Sequence, residues 1–85
     1  MDEQEKKEWQ YQNGKLQHAY HIYQHAINCT QKNDALRQIQ VVLMWPPFSN
    51  YINEQKGYSP DGILRYGLDY ITERCIGEID IIANK

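Results

Sequence analysis

The sequence predicts an all-α fold: a small bundle of four or five helices with a long C-terminal helix at its centre. Three observations predict it. Leu16, Ala19, Tyr20 and Tyr23 follow the i, i+3, i+4, i+7 pattern, and Ala26 and Ile27 extend the stripe. Leu64, Leu68, Ile71, Cys75, Ile79 and Ile82 lie 4, 3, 4, 4 and 3 residues apart, again one helical face. Ser59-Pro60-Asp61 reads as a helix start: a hydroxyl at the N-cap, proline at the first helical position, and an acid where the helix dipole favours negative charge.

In chain order, residues 2–12 are mostly strong helix formers and predict a helix, frayed over residues 1–8. Asn13-Gly14 predicts a break or kink. An amphipathic helix is expected from Lys15 to Thr30, then a polar turn to Asn33, with Asp34 as the next N-cap. Ala35 to Trp45 is read as a helix because strong helix formers open it. Its end, Val41 to Trp45, is apolar on every side, which leaves a strand near 39–45 as an alternative. Pro46-Pro47 must stop that helix, since a proline ring pushes the residue before it out of the helical region. Phe48, Tyr51 and Ile52 predict a short helix capped by Gly57. The last helix is expected from Pro60 to about Asn84. An α+β alternative places a second strand near 78–82, where Ile79 and Ile81 alternate with acids behind Gly77.

Eighty-five residues predict one domain spanning 1–85. With 41% hydrophobic, 24% charged and 12% aromatic residues, the composition is ordinary for a globular protein. A net charge of −2 supplies neither the positive field of a nucleic-acid binder nor the strong negative field of a nucleic-acid mimic. The opening MDEQEKKEW lacks the apolar stretch of a secretory signal, so a cytoplasmic location is expected. No membrane crossing is expected: the longest apolar run, Val41 to Trp45, is five residues, whereas a bilayer needs about 20. In that setting Cys29 and Cys75 are expected to be thiols, both partly buried.

Few residue patterns point to chemistry. His18, His21, His25 and Cys29, spaced 3, 4 and 4, form a second stripe on a helix, and His21 with His25 has the i, i+4 spacing of a metal-binding pair. No second pair of Cys or His completes the coordination, so the sequence predicts no metal or cofactor, with His18, His21 and His25 as the candidates if one is held. His25 and Cys29 lack an orienting group and an oxyanion site, so no enzyme is expected. The acids Asp61, Asp69, Glu73, Glu78 and Asp80 are read as a solvated face. A nucleic-acid-binding helical regulator is an alternative, because helices at 35–45 and 48–56 resemble a helix-turn-helix. Residues 35–58, however, hold only Arg37 and Lys56 as strong cations.

The informative feature is a surplus of large apolar groups. Ile63, Tyr66, Tyr70 and Ile81 form a second stripe on the last helix, and Trp9, Tyr11, Trp45, Phe48, Tyr51 and Tyr58 add further rings. Tyr and Trp suit interfaces because they bury an apolar body while keeping a polar end satisfied. The expectation is a non-catalytic accessory, regulatory or inhibitory protein that buries Trp45, Phe48, Tyr51, Ile63, Tyr66 and Tyr70 in a protein partner or a homodimer.

Overall fold

The computed structural model describes residues 2–57, 59–68 and 72–85, and of residues 55, 56 and 72 the backbone only. The fold is all-α: α1 (Glu3–Gln24), α2 (Cys29–Leu43), α3 (Pro46–Lys56), α4 (Gly62–Tyr66) and α5 (Thr72–Ala83). There is no strand among the described residues, and the segments 39–45 and 78–82 belong to α2 and its end and to α5. Burial shows why. Ile39, Val42 and Leu43 are buried while Val41 is exposed, and Ile76, Ile79 and Ala83 are buried while Ile81 is exposed, which is a helical and not a two-residue period.

The helix α1 runs unbroken through Asn13-Gly14. Asp2 caps it, accepting the Glu5 N–H at 2.8 Å, and Glu3 and Glu5 sit favourably in its first turn. The expected break at Gly14 is absent because packing on both sides outweighs one glycine's cost of about 1 kcal/mol: Trp9 packs on the core one turn before it, and Leu16 is buried just after it. The helix ends at Gln24, earlier than expected. Residues 30–33, expected as a turn, lie inside α2. Asn28, rather than Asp34, is its cap, accepting the Gln31 N–H at 2.8 Å while the Gln31 side chain accepts the Ile27 N–H at 3.1 Å, a reciprocal arrangement akin to a capping box.

The double proline ends one helix and starts the next. Trp45 is extended (φ −58°, ψ 125°), and Pro46 opens α3 at positions where a missing N–H costs nothing. Gly57, in the left-handed conformation (φ 70°), caps α3 as expected. The single long C-terminal helix is instead two. Gly67 has φ 82° and donates its N–H to Ile63 O at 2.9 Å, closing α4 after five residues. Because α4 and α5 are separate, one helical phase does not run through both. In α4, Ile63 is wholly buried and Leu64 is exposed, the reverse of the expected stripe.

The hairpin of α1 and α2 forms one layer, and α3, α4 and α5 pack on its inner face. One apolar cluster joins them: Leu16 and Ala19 from α1, Leu36, Ile39, Val42 and Leu43 from α2, Phe48 and Ile52 from α3, Ile63 from α4, Leu68, and Cys75, Ile76 and Ile79 from α5. Each large aliphatic or aromatic side chain so buried contributes about 1.5–3 kcal/mol. A polar clip ties α1 to α5 at the edge of this core. Buried Asn13 donates to Asp80 Oδ1 at 2.8 Å, and Gln17 Nε2 donates to Asn13 Oδ1 at 3.0 Å and Ile76 O at 3.1 Å. Asn84 also donates to Asp80 Oδ1, at 3.1 Å. No described helix is long and apolar enough to cross a membrane.

Candidate functional site

Most of the rings expected at an interface are drawn inward. Phe48 and Ile63 are wholly buried core residues and have no surface to offer a partner, which corrects their assignment. Phe48 is turned inward by the first turn of α3, where Trp9 and Trp45 meet it edge-on at 4.9 and 4.8 Å between centroids. Trp45 is half-buried at the rim of this aromatic cluster. Tyr51 packs against the core and donates its hydroxyl to Glu78 Oε2 at 2.7 Å. Burial, reinforced by that carboxylate, pushes the Tyr51 phenol up to about 12. Tyr20 is raised for the same reasons, burial first and Glu73 second. Tyr66 stays exposed at 61%. Tyr70 lies outside the described residues. Tyr11 and Tyr66 are thus the exposed rings among the described residues.

The acids expected as an idle face are partly in use. Asp80 holds the clip to Asn13, and Glu78 takes both Tyr51 and Arg74 Nε, the latter at 3.2 Å. Of the cysteines expected to be partly buried, Cys75 is in the core and Cys29, opening α2, is exposed. The histidines do not converge as one stripe. His18 lines a groove with Lys15 and Val41, while His21 and His25 line the next recess with Ile22, Asp34 and Gln38. Among the described residues no three His, Cys, Asp or Glu side chains gather where an ion could be held.

What the fold leaves open is the outer face of the α1–α2 hairpin. Tyr11, Lys15, His18 and Ile22, spaced 4, 3 and 4, run along α1 on the side away from Asn13, Leu16 and Tyr20. Facing them from α2 are Asp34, Arg37, Gln38 and Val41, and between the helices lies a groove of about 590 Å³. A second, separate recess, of about 420 Å³, is lined by Lys7, Glu8, Tyr11, Gln12 and Trp45. The exposed apolar residues here are Tyr11, at 67%, and Val41, at 62%, beside part-buried Ile22 and buried Val42. Lys15 Nζ lies 5.4 Å from the centroid of the Tyr11 ring, a cation–π contact that links the ring to a residue lining the groove. Both charge signs line the walls, Lys15 and Arg37 against Asp34.

Sequence reasoning counted Tyr11 among the rings but did not assign it a site, and it missed Val41. The signal for Val41 was present: it lies off the Ile39, Val42 and Leu43 stripe of its own helix. No protein-family model, curated protein or solved structure matches the chain.

Proposed function

We propose that this protein is a non-catalytic interaction module, a cytoplasmic accessory, regulatory or inhibitory protein that docks a protein surface on the outer face of its α1–α2 hairpin. One observation supports this above the others: Val41 stands exposed in a groove that Lys15, Arg37 and Asp34 also line, and exposed Tyr11, one turn before Lys15 on α1, meets Lys15 at the edge of that groove. A pair of apolar anchors inside a charged rim is the arrangement in which a few residues supply most of the binding energy while their neighbours exclude water. Trp45, half-buried, lines a neighbouring recess together with Tyr11. The partner expected first is a second copy of the chain. Across a two-fold axis each patch meets itself, and a patch with cations and an acid can pair Lys15 or Arg37 of one copy with Asp34 of the other.

Site-specific cross-linking tests the reading. A photoreactive residue at position 41 should give an adduct between two copies, mapped to Tyr11, Lys15 or Arg37, and one at the exposed Tyr66 position should not. Adducts from position 66 alone, or from neither position, would overturn it.

A further inference from the structure

Beyond that surface, we infer that His21 and His25 form a bidentate binding site for a divalent late-transition-metal ion at the end of α1. Their ring centroids are 4.4 Å apart, with the planes inclined at 50°. An imidazole bound at a metal–nitrogen distance of about 2.0–2.1 Å has its centroid about 3.2 Å from the ion, so two such ligands at right angles stand about 4.5 Å apart. The observed centroid separation lies close to that value. The backbone also fixes it: the His25 N–H donates to His21 O at 3.1 Å, so the two residues are held one turn apart. Both side chains are exposed, so an ion reaches them without opening the fold.

The surroundings favour a cation. Asp34 of α2 lines the same recess, along with Gln31 and Gln38, and it is the charged residue there. His18 is excluded from the site because it lines the neighbouring groove instead. Two nitrogens leave the remaining coordination positions to water, which makes this an exchangeable site rather than a structural one. Imidazole pairs prefer ions late in the divalent series, so Cu²⁺ should bind more tightly than Ni²⁺ or Zn²⁺. Binding also requires an intact last turn of α1, so the ion should stabilise the fold.

Calorimetric titration of the full chain, carrying no histidine tag, with copper chloride and separately with zinc chloride tests the site. One ion per chain is expected, bound more weakly as the pH falls and protons compete for the nitrogens. His21→Ala and His25→Ala should each weaken binding by tenfold or more, and His18→Ala should leave it within twofold. The wild-type thermal midpoint should rise with copper, and that of His21→Ala should not. The inference is overturned by no binding of either ion at millimolar concentration, by binding that survives both His21→Ala and His25→Ala, or by an equal loss in His18→Ala.

Discussion

The two faces of the α1–α2 hairpin are made from the same helices and do different work. The inner face presents Leu16, Ala19, Ile39 and Leu43, all buried in the cluster shared with α3, α4 and α5. The outer face presents Tyr11, Lys15, His18, Arg37 and Val41, all exposed. Ile39 and Val41 are two residues apart and chemically similar, yet one has no exposed surface and the other is 62% exposed. Position on the helix, not residue type, decides which apolar group holds the fold and which is left for something else. Stability and association should therefore be separable by substitution.

The largest effect belongs to the inner face. Ile39→Ala should lower unfolding free energy by about 2–5 kcal/mol, since it removes core volume that the surrounding helices refill only in part. Urea unfolding measures it. Next comes the polar edge between the faces. Asn13→Leu should cost about 1–3 kcal/mol, because it takes one partner from Asp80 and one from Gln17 in a part-buried place; a neutral result would mean that water replaces the clip.

Tyr51→Phe should cost about 1 kcal/mol at neutral pH by deleting the hydrogen bond to Glu78. It also has a pH signature. The folded phenol titrates at about 12, above its unfolded value of about 10. Its contribution is therefore complete below pH about 10 and is lost as the pH rises toward about 12. Unfolding measured across that range should show wild type losing its advantage over Tyr51→Phe, and ultraviolet titration should show the variant missing one late-ionising tyrosine.

Smaller still, Gly14→Ala should stabilise the chain by about 0.5–1 kcal/mol, because the site is helical and a Cβ there meets nothing within 4 Å. Smallest is the outer face itself: Val41→Ser should change stability by no more than about 0.5 kcal/mol. Were it to approach the cost of Ile39→Ala, the distinction between the faces would fail.

The all-α class and the core stripe of α1 were legible in the sequence because a 3.6-residue apolar period sustained over several turns matches a helix and not a strand. The ends of the elements were not. Gly14 and Gly67 look alike in sequence, and one passes through a helix while the other, at φ 82°, stops one. What separates them is tertiary: Gly14 has core anchors on both sides within α1, whereas α4 is a short segment with its own orientation against α2. Ahead of that break the expected phase fails at Ile63, which is buried, and Leu64, which is exposed, while Tyr66 is exposed as its stripe predicts. Asn28 and Asp34 are equally good caps on paper, and the reciprocal contact with Gln31 selects the first. The candidate surface was the least legible part. A count of rings cannot tell that Phe48, Trp9 and Trp45 satisfy one another, leaving Tyr11 to face outward.

Sedimentation equilibrium of wild type beside Val41→Glu tests the outer face most directly. The wild type should associate reversibly in the micromolar range, and the glutamate variant should stay monomeric with unchanged helix content by circular dichroism. A wild type that remains a monomer at the highest attainable concentration, or a variant that associates equally well, would contradict the assignment of this face to docking a second copy.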